Sequence, residues 1–345
     1  VLPQWFVTMK PLAESVINAI ERDEITFYPD HYKKIMLHWL TNIEDWNVSR
    51  QIAWGIPIPA WYKGDEVRIG KERPEGDGWT AETDTFDTWF SSGQWPFAAL
   101  GYPTSNDYKN FYPTQVMETA GEIIFFWVAR MLMFGLYRTG KLPFTTVYLH
   151  GLVTAKDGQK MSKSRGNVIS PLELSDKYGT DALRMGLTIG NTPGTTTALY
   201  EDKIKAYKLF SNKLWNIARF VLEGAEEMPD VKPADTQSDS ARREELATLV
   251  KAVTTDIENY RFYMAGEKLY HYVWHTFADD IIEESKPLLQ GEDIHARDSR
   301  KALLLDILKT SLALLHPFMP FITEEIWKHV PGTNGNLLMI SQWPS

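Results

Sequence analysis

The feature that most constrains this chain is a change of hydrophobic period close to residue 190. Upstream, short apolar and β-branched runs alternate with segments of helical spacing, the pattern of an α/β fold. From Glu201 onward only spacings of three and four recur, with Ile204, Tyr207, Phe210, Leu214, Ile217 and Val221 forming one stripe. The same spacing returns at Leu246, Leu249, Val250, Val253 and Ile257, then over Leu269–Ile282 and Leu303–Leu315. The polar, Gly- and Pro-punctuated stretch at 190–197 therefore reads as a boundary, and the second half is expected to be an antiparallel helix bundle. At 345 residues there is chain enough for more than one domain. The expected division is 1–155, 156–195 and 196–345.

Composition removes several classes. Hydrophobic residues at 43% and charged residues at 23% describe an ordinary globular protein. The absence of cysteine excludes disulfides and thiolate zinc sites and fits a reducing, cytoplasmic setting. No apolar run approaches about 20 residues, so no membrane span is expected. A net charge of −9 does not advertise nucleic-acid binding, although phosphate contacts need only a local basic stripe. The start, Val1-Leu2-Pro3-Gln4-Trp5, has neither an initiator Met nor a signal-peptide pattern, and reads as the interior of a longer polypeptide.

Within the α/β half, helices are expected over Pro11–Arg22 and Tyr32–Leu40, and a loop or small hairpin excursion over Lys63–Glu82. Asp87-Thr88-Trp89-Phe90-Ser91-Ser92 brings small hydroxyl residues beside large aromatics, which suits either an apolar pocket with a few placed polar groups or an aromatic core. Gln115–Met117 is strand-like and leads into a long apolar helix with Ile123, Trp127 and Met131 on one face. At that junction Glu122 is either a ribose-binding carboxylate or a favourable acid in a first helical turn. Thr146–Thr154 reads as one buried strand, Asp157-Gly158 as a turn, and Ser170-Pro171 with Glu173 as a capping box. Helices Leu172–Tyr178 and Asp181–Met185 follow, with Gly179 between them. Residues 224–239 are acidic, Pro-containing and poor in apolar groups, a connecting loop.

Between that strand and that capping box lies Lys160-Met161-Ser162-Lys163-Ser164. On the residues alone this is either a solvated loop or a polyphosphate site, because two ammonium groups three residues apart suit a leaving pyrophosphate. The whole string, with His150-Gly151 before it and Gly166-Asn167 after it, resembles the KMSKS signature of class I aminoacyl-tRNA synthetases. The run Asp45-Trp46-Asn47-Val48-Ser49-Arg50-Gln51 resembles a block shared by the valine- and isoleucine-specific enzymes of class Ia, with Asn47 where the family usually has Cys. Asp87–Ser92 resembles the valine-specific pattern D-T-W-F-S-S. Thr119–Met131 resembles T-G-x-D-I-x-F-W-V-x-R-M, but with Ala120-Gly121-Glu122 in place of Gly-x-Asp. Asn212–Asn216 and His316–Trp327 resemble the family's anticodon-binding bundle.

The resemblance implies the second half of a Rossmann-type catalytic domain (1–155), a lysine-loop connector (156–195) and an anticodon-binding helical domain (196–345). It implies ATP-dependent activation of valine to an adenylate and transfer to valine tRNA, with ATP as substrate and Mg²⁺ on its phosphates. Many relatives carry zinc-binding cysteines in insertions comparable to residues 63–82, and this cysteine-free chain cannot, so no zinc is expected. Lys160 and Lys163 would be the catalytic cations. Gly121, Glu122, His150, Gly151, Met161, Ser162 and Ser164 would contact ATP, and Trp89 and Trp127 would wall the valine pocket. Lys213, Asn216 and Arg219 are either base readers or a solvated helix face. The chain has no His-x-Gly-His sequence. The resemblance therefore places a first nucleotide-binding half and an editing domain upstream as partners, and the isolated chain is expected to be inactive. An isoleucine-specific enzyme, or a tRNA-binding module without catalysis, are the alternative readings.

Overall fold

The computed structural model describes residues 3–225, 233–333 and 335–345, the side chain of Lys163 excepted. The chain forms two compact units, Val1–His150 and Gly151–Ser345.

The centre of the first unit is a parallel sheet of β1 (Thr26–Tyr28), β2 (Val116–Ala120) and β3 (Thr146–His150), in the order β1–β3–β2. Val147 sits opposite both Phe27 and Met117. Phe27, Val147 and Leu149 are buried, as strands covered on both faces require. Helix α1 (Lys10–Glu21) starts with Pro11 in its first turn, where the missing N–H costs nothing, and buries Ala13, Val16, Ala19 and Ile20. Helix α2 (His31–Thr41) follows β1 and buries Met36 and Leu40. Both lie within a residue or so of the stretches marked by apolar spacing.

After β2 the backbone winds into a helix whose first turns are irregular. A 3₁₀ turn at Gly121–Ile123 passes into a π turn at Ile124–Ala129, and then into α3 (Arg130–Thr139), stopped by left-handed Gly140. Residues 60–82 form a small antiparallel sheet of Ala60–Lys63, Glu66–Ile69 and Thr80–Ala81, so the polar excursion is a hairpin with a third strand added. Glu82 fastens its edge, accepting from the Trp5 indole N–H at 2.7 Å, the Tyr62 hydroxyl and two backbone amides. Burial pushes the Glu82 carboxyl up, but those hydrogen bonds outweigh it and hold the group down at about 2.

The run Thr146–Thr154 is not one strand. β3 ends at His150, and β4 (Val153–Thr154) pairs in parallel with β5 (Thr197–Ala198). The break lies at Gly151, where a Cβ would sit 1.6 Å from the Thr195 carbonyl oxygen. β-branched composition marked the residues as strand-forming but carried no information about this backbone crossing.

The second unit is helical. Pro171–Tyr178 (α4) has Ser170 at its N-cap, accepting from the Glu173 amide. Thr180–Thr188 (α5) is tied to the C-terminal helix: Asp181 accepts from the Phe321 and Ile322 amides at 3.2 and 2.6 Å, while Arg184 donates to the Pro317 and Phe318 carbonyls. Residues 156–195 thus fold with the helices that follow them.

Those helices are α6 (Glu201–Ala225), α7 (Gln237–Glu258), α8 (Phe262–His271), α9 (Ile282–Gln290), α10 (Ile294–Leu315) and α11 (Pro320–Trp327). A π segment, Tyr272–Ile281, joins α8 to α9 as one continuous rod. Of the expected loop at 224–239, residues 226–232 lie outside the described residues and Gln237 already begins α7. The apolar stripes seen in the sequence form one core, in which Phe210, Leu214, Val253, Leu269, Phe277, Leu308 and Leu312 are fully enclosed.

That core also holds a charged knot. Arg300 and Asp239 have side chains only 1% exposed and meet at 2.7 Å. Ser299 donates to the other Asp239 oxygen at 2.6 Å, and Arg300 reaches Glu284 at 2.9 Å and Ser285 at 3.1 Å. Arg242 holds Glu284 from the outer side.

Candidate functional site

Ligands of parallel α/β sheets bind beyond the carboxyl ends of the strands. In the first unit those ends carry Tyr28 (β1), Ala120 (β2) and His150 (β3). Gly121 and Glu122 follow directly after β2, and Glu122 is exposed. His150 pairs through Nδ1 with Glu118, its neighbour on β2, and both side chains face solvent. Gly121 is in close contact: a Cβ there would lie 2.1 Å from the Tyr32 hydroxyl and 2.6 Å from its Cζ. The structure therefore brings Gly121, Glu122 and His150 together at one sheet end and adds Tyr32, from the first turn of α2. Tyr32 was not marked in the sequence reading. Its signal is weak, a single aromatic after a strand, and its place depends on β1 and β2, about ninety residues apart, both pairing with β3.

Trp89 and Trp127 sit on two short elements that are braced together. Asp87 caps the helix Thr88–Ser92 by accepting from the Trp89 amide at 3.1 Å. The same buried carboxylate accepts from the Trp46 indole N–H at 3.0 Å and from Arg50 at 2.6 Å. Across from it, the Trp127 indole donates to the Ser92 carbonyl at 3.0 Å, and Trp89 stacks on Phe126 with ring centroids 5.9 Å apart. Arg130 completes the brace: its guanidinium lies 3.7 Å from the Trp46 ring centroid and donates to the Phe126 carbonyl, closing the π turn. Burial lowers the Arg130 pKa to about 10, against the opposing pull of Asp87, and it stays a cation at neutral pH. Two aromatic walls fixed by buried polar groups can define an apolar slot of fixed width.

In the second unit the lysine loop is a compact turn. Lys160 bridges back to Thr154 and is exposed. Met161 packs on the small core of Leu174, Ala182, Leu183, Leu199 and Ile204, anchoring the loop. Ser162 donates its amide to Asn167 Oδ1 at 2.8 Å, and its hydroxyl meets that of Ser164 at 2.7 Å. Asn167 returns a bond to the Lys160 carbonyl. The Lys163 side chain lies outside the described residues. The two serines and the asparagine thus hold the loop's shape, while the Lys160 side chain is exposed and, among the described residues, pairs with no acid.

The bundle carries a second feature. A groove of about 450 Å³ is lined by Trp215, Arg219, Leu222, Ile326 and His329 among others. Trp215 is 39% exposed and lies edge-on to His329 at 6.4 Å. Leu214, Ile217, Ala218 and Val221 turn inward, so Trp215 and Arg219, one helical turn apart, face out together. Of the three polar candidates read from the sequence, Lys213 is engaged elsewhere: it pairs with Asp279 at 2.7 Å and lies over Trp274. Asn216 and Arg219 are exposed. An aromatic face beside a guanidinium can stack an unpaired base and hold its phosphate.

Comparison with known proteins gives the same direction for both units. The sequence matches the family described as tRNA synthetases class I (I, L, M and V) over residues 1–82 and 70–199. Residues 239–345 match the anticodon-binding domain of tRNA ligase. The chain is 42% identical over 352 residues to a valine–tRNA ligase of Bacillus subtilis, a match covering 99% of this chain and 40% of that protein. It is 43% identical over 351 residues to the valine–tRNA ligase of Geobacillus kaustophilus, with the same coverage. The chain therefore spans about 40% of the length of these relatives. Among solved structures it is similar to Mycobacterium tuberculosis methionyl-tRNA synthetase bound by methionyl-adenylate, with TM-score 0.76, 16% identity, and coverage of 97% of this chain and 66% of that one. It is also similar to the leucyl enzyme of Agrobacterium radiobacter in complex with tRNA, with TM-score 0.69 and 20% identity over 88% of this chain and 42% of that one.

Proposed function

The chain belongs to the class I tRNA synthetases, and on that footing we propose that it is part of a valine–tRNA ligase. It would contribute the lysine-loop part of the ATP-dependent activation of valine, and the binding of valine tRNA. The observation that carries this reading is the match to valine–tRNA ligases along 99% of the chain.

The chemistry asks little covalent work of the protein. A valine carboxylate attacks the α-phosphorus of ATP, the bond to the β-phosphate oxygen breaks, and pyrophosphate leaves with the growing negative charge. A terminal ribose hydroxyl of the tRNA then takes the acyl group and AMP leaves. ATP enters with Mg²⁺ on its phosphates. Among the described residues no group of three or more His, Asp or Glu side chains converges on a metal position. The protein's part is positioning and charge stabilisation. Lys160 and Lys163 would neutralise the pyrophosphate on a loop whose shape Ser162, Ser164 and Asn167 maintain. Glu122 and the His150-Gly151 backbone would receive the nucleoside, and Trp89 with Trp127 would face the branched side chain of valine. In the bundle, the Trp215–Arg219 groove would take an unstacked base of the tRNA.

Binding of this chain to valine tRNA, isoleucine tRNA and an unrelated tRNA across a salt series tests the reading. A preference for valine tRNA that persists at moderate salt is expected. Equal affinities falling steeply with salt would reduce the interaction to phosphate attraction and refute recognition by this chain.

A further inference from the structure

The sheet end of the first unit contains a hydroxyl for which nothing above has a use. Tyr32 fills the place that a side chain at position 121 would take, since a Cβ on Gly121 would fall within 3 Å of its Oη, Cζ and Cε1. The pattern resembled by Thr119–Met131 has Gly-x-Asp where this chain has Ala120-Gly121-Glu122. The variable middle position is thus glycine here, and a ring supplied by α2 stands in its stead. Among the described residues the Tyr32 hydroxyl has no hydrogen-bond partner, although the side chain is half-buried. The hydroxyl is open to solvent, and a polar atom standing at the carboxyl ends of parallel strands is placed to meet a ligand.

The neighbouring charges define what it would meet. Burial, and then the nearby Glu122 carboxylate, raise the Tyr32 phenol above its ordinary range, so it is a protonated donor at neutral pH. Glu122 is an acceptor only. A donor beside an acceptor is complementary to a group that both accepts and donates, and a sugar hydroxyl does both. An adenine edge offers no such single atom, and a phosphate would be repelled by Glu122.

We propose that Tyr32 is a nucleotide-binding residue, donating through Oη to a ribose hydroxyl of ATP whose own proton goes to Glu122. This rests on the reading of the chain as part of an ATP-dependent ligase and adds to it a contact on α2.

The test is calorimetric binding of ATP and its 2′-deoxy and 3′-deoxy forms to the full-length protein, for wild type and Tyr32→Phe. The phenylalanine keeps the ring against Gly121 and removes only the oxygen. ATP should bind about fivefold more weakly to the variant, the scale of one neutral hydrogen bond. One of the two deoxynucleotides should bind wild type and variant equally, because its missing hydroxyl is the partner of Tyr32. In valine-dependent pyrophosphate exchange the variant should raise KM for ATP and leave KM for valine in place, a split that general loosening of the fold would not produce. Gly121→Ala, which pushes the ring out of its seat, should reproduce the ATP loss. Unchanged ATP affinity in Tyr32→Phe, or an equal penalty on all three nucleotides, overturns the proposal while leaving the ligase reading intact. Tight ATP binding without any valine-dependent exchange by wild type would overturn the ligase reading instead. Failure of wild type to bind ATP at all overturns both.

Discussion

Replacing Arg300 by methionine separates charge from packing in the helical core. Methionine keeps an unbranched apolar stem in the space of the arginine stem and deletes the guanidinium. The change leaves Asp239, 1% exposed, with a carboxylate that has lost its 2.7 Å partner. Among the described residues, Ser299 Oγ at 2.6 Å is then the one side-chain donor left to it. Removing one member of a buried pair costs about 3–5 kcal/mol, chiefly the desolvation of the charge left behind. The lost bonds to Glu284 and Ser285 belong to the same sum, because Glu284 keeps Arg242 and Ser285 still donates to the Ile281 carbonyl. With a urea m-value of about 2 kcal/mol per molar, the unfolding midpoint of the bundle should fall by about 1.5–2.5 M. The assay is urea unfolding of this chain with hydrogen exchange read on peptides from α7 and α10, which reports the second unit specifically. Pairing the change with Asp239→Leu should restore at least half of the loss, since two apolar side chains leave no orphaned charge. A loss below about 0.5 kcal/mol for the single variant would show that water or another cation compensates Asp239. A double variant no more stable than the single one would show that the two residues are not coupled.

Three further outcomes follow from the same reasoning. The Glu82 carboxyl is depressed to about 2 from 4.5, so its contribution to the first unit is present in full above about pH 4.5 and is lost as pH falls through about 2; Glu82→Gln should flatten the acid limb of the unfolding curve in that window and leave the neutral region little changed. Asp87→Ala removes an N-cap and orphans the Trp46 indole N–H, about 1 kcal/mol each, so a loss of about 2 kcal/mol is expected in chemical denaturation, together with a higher KM for valine in the full-length protein. Lys163→Ala in the full-length protein should slow adenylate formation about a hundredfold, the scale of one lost charge contact on a leaving group, and unchanged pre-steady-state kinetics would remove Lys163 from the catalytic role.

Periodicity made the succession of an α/β region and a helical region legible, though not the place where the two units meet, because burial on one face imposes it directly: Val16 and Ile20 on α1, or Phe210 and Leu214 on α6, must recur at helical spacing to reach a core. The lysine loop stood out only through its resemblance to the KMSKS signature, since on its residues alone a solvated loop explains the same string. The features that escaped are those where distant segments decide. Gly151 ends β3 because the Thr195 carbonyl lies against it, forty-four residues later. The π turns at Ile124–Ala129 and Tyr272–Ile281 shift the buried face without altering composition. Asp239 closes the stretch that reads as a connecting loop and Arg300 had no signal of its own; it is the packing of α7, α9 and α10 that encloses them.

Tyr32 is the sharpest case of that limit, and it bears on how the site is built. Read along the chain, Gly121-Glu122 is a departure from a pattern, one side chain missing and one acid lengthened. Read in space, the missing side chain is supplied from α2, and the longer acid lies beside a phenol whose proton it helps to retain. The two departures are then one arrangement, because a ring at position 32 and a side chain at position 121 cannot occupy the same volume. Substitution at either position alone should therefore be costly, and the compensating pair should be judged by ligand affinity together with fold stability.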